Sequence, residues 1–180
     1  PSAYIIEANM QRTRVKNSGG KTLLIFAQDD GETLALASAN GGTIGFGGLK
    51  YREYLEFKRG NTSIDVISNI SMQAYLYGVV PSEIGGSSPI EAQKVQAVCA
   101  RTYAVKNLNR HSKNGFNLCA TTCCQVYFGI KNETTLSNSA VDETNGKIIT
   151  YNGEPITAVY SAHSGGVTAN VENVWGSPYP

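Results

Sequence analysis

Glu83 is the carboxylate best set for proton chemistry. It lies in Ala74-Tyr75-Leu76-Tyr77-Gly78-Val79-Val80-Pro81-Ser82-Glu83-Ile84-Gly85-Gly86, and reads as sitting on a short apolar turn bounded by glycines. Apolar neighbours such as Val79, Val80 and Ile84 withdraw water from a carboxyl and favour its neutral, proton-donating form, which is how a general acid is made. The same residues also suit a glutamate that caps a helix or pairs with a lysine. Lys94 and Arg101 stand seven residues apart, hence on one line of a helix, and two aligned cations can hold a polar ligand. Solvation, or an ion pair such as Glu91 with Lys94, uses the same residues.

His111, Cys119, Cys123 and Cys124 fall within fourteen residues, and three thiols with an imidazole form the donor set of a closed structural zinc site. Cys119 and Cys123 are four apart, and the adjacent Cys123 and Cys124 can both ligate only if the chain bends between them. A disulfide or free buried thiols are the competing readings, although a bridge between adjacent cysteines is strained. Cys99 falls on a helical apolar stripe and reads as core.

The elements that must carry these groups divide into two parts. Residues 1–70 read as a β-rich scaffold, with alternating segments at Tyr4–Glu7, Thr22–Ala27, Thr33–Ser38, Thr43–Phe46, Leu49–Lys58 and Ser63–Ser68. Turn residues separate them at Ser18-Gly19-Gly20, Asp29-Asp30-Gly31, Asn40-Gly41-Gly42 and Arg59-Gly60-Asn61. Tyr51, Tyr54, Leu55 and Phe57 read as packing under the next segment. Residues 71–180 read as the catalytic part. A first helix over 71–79 starts on Ser71 as N-cap and is stopped by Gly78 and Pro81. A second over 89–109 is opened by the capping-box pattern Ser88-Pro89-Ile90-Glu91. Val95, Val98, Thr102 and Val105, flanked by Cys99 and Tyr103, form the stripe expected to face the sheet. Gln125–Phe128 reads as strand-like, Ser139–Thr144 as a helical turn, and Asn152-Gly153 as the turn of a C-terminal hairpin. The fold class is α+β, with the hairpin as a wall beside the helices, and the two parts read as one folded unit.

Beyond the hairpin, Ser164-Gly165-Gly166 can set N–H groups and a hydroxyl against a sugar, or form a plain turn. His163 has no spaced partner, and the chain has two histidines and no Gly-x-Ser-x-Gly, so it reads as a loop histidine rather than part of a triad. Tyr75, Tyr77, Tyr127, Tyr160 and Trp175 are either core or sugar-stacking faces, with Tyr127 and Tyr160 the foremost candidates for stacking. With 15 basic and 14 acidic residues the chain has no global field to recruit nucleic acid or an anionic membrane. A low charged fraction, 16%, with abundant Gly, Ser, Asn and Tyr suits an extracytoplasmic protein handling a polar neutral ligand. The 180 residues are expected to be part of a longer protein.

Leu76 to Glu83, Glu91 to Ala104, Gln125-Val126-Tyr127 with Gly129, Thr144-Asn145-Gly146, Tyr160 to Gly166 and Trp175 follow one another in an order that resembles the stage II sporulation protein D family. That family comprises peptidoglycan lytic transglycosylases and includes autolysin-modifier relatives; the resemblance covers about residue 49 to the end. It implies cleavage of the β-1,4 bond between N-acetylmuramic acid and N-acetylglucosamine, without added water, on strands whose stem peptides an amidase has removed. Its catalytic glutamate falls on Glu83, and its substrate-side cations on Lys94 and Arg101, suited to the muramic carboxylate. Tyr127, Tyr160, Ser164 and Gly165 complete the expected substrate contacts. Some members hold a zinc in the region of His111 and the three cysteines with mixed Cys and His ligands, while others have neither the metal nor these cysteines. The resemblance further implies a role in engulfment during sporulation of a Gram-positive cell, an upstream membrane anchor, a place between the forespore and mother-cell membranes, and a cell-wall amidase of the stage II sporulation protein P type as partner. Non-catalytic glycan binding that aids an amidase, and lysozyme-like hydrolysis, are the alternatives.

Overall fold

The structure, a computed structural model, describes residues 13–16, 22–27, 33–38, 42–59, 64–161 and 163–177. The expected strand at Tyr4–Glu7 and the turns at Ser18-Gly19-Gly20, Asp29-Asp30-Gly31, Asn40-Gly41 and Gly60-Asn61 lie outside the described residues. Nine strands and four helices confirm the α+β class among those residues.

A five-stranded antiparallel sheet has the order β1-β2-β3-β6-β7, from β1 (Thr13–Lys16), β2 (Thr22–Ala27), β3 (Thr33–Ser38), β6 (Tyr54–Arg59) and β7 (Ile64–Asn69). The β1 strand was not among the expected segments. The register sets Leu36 opposite Leu55 and Leu34 opposite Phe57. Leu55 is fully buried, Tyr51 packs against the helical core, and Phe57 meets Phe46 edge-on at 5.1 Å. The run expected as one strand over Leu49–Lys58 is two. β5 (Leu49–Tyr51) pairs with β4 (Ile44–Phe46), and the chain breaks at Arg52 and Glu53 before β6. Glu53 takes a positive φ of 57° there, and its carboxylate accepts bonds from the Ser71 N–H (2.8 Å) and hydroxyl (2.7 Å). The corner between the strands thereby fixes the start of the first helix, α1 (Met72–Ile84), where Ser71 is the N-cap, its hydroxyl accepting from the Ala74 N–H.

Helix α1 does not stop at Gly78 or Pro81; it runs through both and ends on Gly85. A proline in a helix interior costs about 3 kcal/mol. Leu76, Val79 and Val80 on the same helix are fully buried, and burial contributes roughly 5–9 kcal/mol for three such side chains, so packing overrides the local stop signal. Gly78 is there for proximity: a Cβ on it would lie 2.5 Å from the Gly129 carbonyl and 2.6 Å from the Tyr127 ring. The Ser82 hydroxyl donates to the Gly78 carbonyl at 2.6 Å. Glu83 therefore sits on the last turn of a helix.

Helix α2 (Ile90–Lys106) is shorter than the expected 89–109, and Ser88 does not cap it, because its hydroxyl donates backwards to the Ile84 carbonyl at 2.6 Å. Gln93, fully buried, instead secures the α1–α2 turn by donating to the carbonyls of Ser88 (2.7 Å) and Gly86 (3.3 Å). The buried face of α2 is Gln93, Ala97, Ala100, Arg101, Thr102 and Ala104, while Val95 is 64% exposed. Of the expected stripe Thr102 is buried, Val98, Cys99, Tyr103 and Val105 are half-buried and Val95 is exposed, because the deepest positions go to small alanines that allow α2 to pack closely against α1 and the helix that follows. The third helix, α3 (Thr135–Glu143), is longer than the expected turn and has the reciprocal Thr134–Ser137 capping box that α2 lacks.

Gln125–Phe128 is an irregular segment rather than a strand, with a single bridge between Phe128 and Ile130. It crosses beneath β5, where the Ile130 N–H donates to the Lys50 carbonyl at 2.9 Å. The hairpin of β8 (Thr150–Tyr151) and β9 (Glu154–Pro155) forms as expected, with positive φ at both Asn152 and Gly153. A last short helix, α4, spans Val171–Trp175.

Candidate functional site

Three segments distant in sequence meet at Glu83. Its Oε1 accepts the Val126 N–H at 2.8 Å, which ties the end of α1 to the irregular segment after the cysteines. The Tyr160 phenol, on the segment leaving the C-terminal hairpin, stands close enough to the Glu83 carboxylate to feel its charge. Gln125, fully buried, lies behind both. Its Nε2 donates to the Tyr160 oxygen (3.1 Å) and the Ala100 carbonyl (3.3 Å), and its Oε1 accepts from the Tyr75 hydroxyl at 3.1 Å. Burial first, and then the Glu83 charge, holds the Tyr160 phenol well above its ordinary range, and burial does the same to Tyr75. Both phenols keep their protons and can donate them. Glu83 itself is half-buried.

Arg101 is buried, 3% exposed, and its guanidinium donates to the carbonyls of Lys147 (3.1 Å) and Val141 (3.2 Å). With Thr102, whose hydroxyl accepts the Ile149 N–H at 2.9 Å, it binds the root of the hairpin to α2 and so sets the segment that delivers Tyr160. Lys94 is held at 2.7 Å by both Glu91 and Glu143 on the outer side of α2 and α3. Tyr127 is a core residue, 8% exposed, against Tyr75 (5.4 Å) and Tyr51 (6.4 Å), and burial pushes its phenol up to about 12. Ser164 and Gly165 lie on an exposed loop in which the Gly165 N–H donates to His163 Nδ1 at 2.8 Å. The expected substrate set thus separates in space: Tyr160 stands beside Glu83, Arg101 and Tyr127 are buried, and Lys94 is ion-paired on the outer side of α2. Gln125 and the Val126 amide, absent from the expected set, take their place. A buried amide side chain and a backbone N–H leave no local mark in a sequence.

A cavity of about 720 Å³ opens elsewhere, between β6, β7 and the 115–120 loop, and Glu83 is not among its lining residues.

The ligand atoms of His111, Cys119, Cys123 and Cys124 lie within 4.8 Å of one another. The chain bends at Thr121, whose carbonyl accepts the Cys124 N–H at 3.0 Å, and this brings both adjacent thiols to one side. The His111 ring stacks on Phe116, and its Nε2 lies 3.4 Å from Cys124 Sγ and 3.8 Å from Cys123 Sγ. Burial opposes the Cys119 thiolate, but hydrogen bonds from Thr121, Cys124 and Cys123 outweigh it and bring the thiol down to about 6. Burial pushes the Cys124 thiol up to about 11. A tetrahedral zinc with bonds of ~2.0–2.3 Å spaces its ligand atoms roughly 3.5 Å apart, so the cluster needs only a small contraction to hold one.

Comparison with known proteins follows the same segments. Residues 60–151, just over half the chain, match the sequence model of a family described as Stage II sporulation protein. The chain is 36% identical over 134 residues to stage II sporulation protein D of Bacillus subtilis, covering 66% of this chain and 39% of that protein. It is 43% identical over 106 residues to a protein of the same organism named amidase enhancer, covering 58% of this chain and 14% of that one. An uncharacterised protein of Brachyspira hyodysenteriae is 34% identical over 158 residues, 87% of this chain and 40% of its own length. The chain thus spans less than half the length of each of these relatives. No solved structure matches. On the family match and these identities, the chain belongs to the stage II sporulation protein D family.

Proposed function

We propose that this chain is the glycan-cleaving part of a lytic transglycosylase acting on peptide-stripped peptidoglycan during sporulation. The observation that carries the reading is the setting of Glu83: half-buried at a helix end, its carboxylate held by the Val126 amide, with the buried Tyr160 phenol nearby. Its described hydrogen-bond partner is an amide rather than a second carboxylate. A hydrolase needs two carboxyl groups, one for the leaving oxygen and one for water or the anomeric carbon. A transglycosylase needs one. Protonated Glu83 gives its proton to the glycosidic oxygen as the C–O bond breaks, and the leaving sugar departs with a hydroxyl. Ionised Glu83 then takes the proton of the muramic 6-hydroxyl as that oxygen closes on the anomeric carbon. The enzyme ends as it began, and the product carries a 1,6-anhydro ring. Mass spectrometry of denuded strands after digestion tests this, because the anhydro product is lighter than the hydrolytic one by one water.

His111, Cys119, Cys123 and Cys124 would hold a zinc ion. Four protein ligands leave no open position for water, so the metal supplies a crosslink rather than chemistry. The expected setting is the outer side of the cell membrane, with peptidoglycan strands as substrate and a cell-wall amidase acting first. A second reading, that the chain holds glycan for an amidase without cutting it, is favoured by the likeness to the amidase enhancer. Glycan retention by an unmodified protein that releases no product separates the two.

A further inference from the structure

Resting on the zinc reading above, we infer that Thr121 is a positioning residue for that metal: its hydroxyl, turned by the Cys123 amide, is aimed to donate to the Cys119 sulfur and so to fix that ligand.

Three of the four candidate ligands stand on the short bend between Cys119 and Cys124, and Thr121 makes that bend. Its carbonyl accepts the Cys124 N–H at 3.0 Å and its hydroxyl oxygen accepts the Cys123 N–H at 3.3 Å, so the amides of both adjacent cysteines close on one residue. The same hydroxyl oxygen lies 3.3 Å from Cys119 Sγ. Thr121 thus meets all three cysteines, two through their backbone and one through its sulfur. The sulfurs of Cys123 and Cys124 lie 3.8 and 3.4 Å from His111 Nε2, whereas the Cys119 sulfur has the Thr121 hydroxyl beside it.

A hydroxyl has one proton to give and two lone pairs with which to accept. The Cys123 N–H can only donate, so it takes a lone pair of Thr121 Oγ1 and leaves the hydroxyl proton for another acceptor. At Cys119 either atom of the contact is able to donate while the sulfur keeps its hydrogen. Metal binding removes that choice. A ligating cysteine is a thiolate, which carries no hydrogen, and then the hydroxyl alone can donate. The contact becomes a bond to a charged sulfur, stronger than one between neutral groups. Thr121 therefore favours the metal-bound state over the metal-free one, beyond shaping the bend. Thr122, the next residue and also exposed, makes none of these bonds and serves as the comparison.

Two measurements on the purified, reduced protein test the inference: zinc affinity by competition with a chromophoric chelator, and the absorption spectrum of the cobalt form. Thr121→Val keeps the shape and removes the hydroxyl, and is expected to weaken zinc binding about 10- to 100-fold, the usual cost of losing an outer partner of a metal ligand. Thr121→Ser and Thr122→Val bind zinc as the unmodified protein does. In the cobalt form of Thr121→Val the sulfur-to-metal charge-transfer band moves to lower energy, because a thiolate freed of its hydrogen bond gives up electron density more readily. Thr121→Ser restores the band. A residue that only shapes the bend loses affinity without moving the band, so that outcome overturns the inference, as does unchanged affinity in Thr121→Val. Should Thr121→Val not fold, Thr121→Ala carries both measurements. An unmodified protein that takes up neither zinc nor cobalt overturns the zinc reading itself, and this inference with it.

Discussion

The Val126 amide donates to Glu83 Oε1 at 2.8 Å, and Val126 follows Cys124 by two residues. The thiol cluster and the proposed acid are therefore joined by one short length of backbone, and fixing the first fixes the second. Purified protein is expected to hold about one zinc per chain by elemental analysis. Cys124→Ser lowers the metal content and the Tm, the latter by roughly 5–15 °C for a loss of a few kcal/mol in a chain of this size. Metal-free protein of full stability, with a mass two hydrogens lower per disulfide, contradicts the zinc proposal.

Gly78 and Gly129 meet where α1 crosses the segment carrying Val126. Alanine improves helix propensity by about 1 kcal/mol, but its Cβ at 2.5 Å from a carbonyl forces backbone apart. Overpacking of this kind costs about 1–3 kcal/mol or more, so Gly78→Ala is expected to destabilise. Chemical denaturation measures it, and a more stable variant shows that the contact yields.

Arg101 and Lys94 have opposite surroundings, and their variants should differ accordingly. Arg101→Met leaves two carbonyls without their donor and loosens the hairpin root, a loss of about 2–4 kcal/mol. Glycan affinity of the remaining folded protein is expected to be unchanged. Lys94→Ala removes only surface ion pairs and should leave both stability and glycan affinity as they were. A stable Arg101→Met that fails to bind glycan returns the guanidinium to the substrate.

Much of the frame was legible because the signals were local. Ser71 as a cap, the Asn152-Gly153 turn and the gathering of His111 with three cysteines each depend on a few neighbouring residues. The errors arose where distant packing decides. Gly78 and Pro81 read as a stop, yet burial of Leu76, Val79 and Val80 extends the helix past them. The capping-box letters at Ser88 were present, but its hydroxyl had a better partner in the Ile84 carbonyl. Bulky valines drew the expected face of α2 toward Val95, whereas close helix packing selected the alanine side. Glu83 was legible from its apolar neighbours, but Gln125 is held by partners 25 to 50 residues away that only the folded chain brings near.

The central claim is that a single carboxylate cleaves glycan without water. Denuded peptidoglycan strands digested in ¹⁸O-labelled water, with products read by mass spectrometry, test it most directly. The account predicts 1,6-anhydro ends free of label, and no such ends from Glu83→Gln although that variant still retains glycan. Label at the new reducing ends, or anhydro product from Glu83→Gln at the unmodified rate, contradicts it.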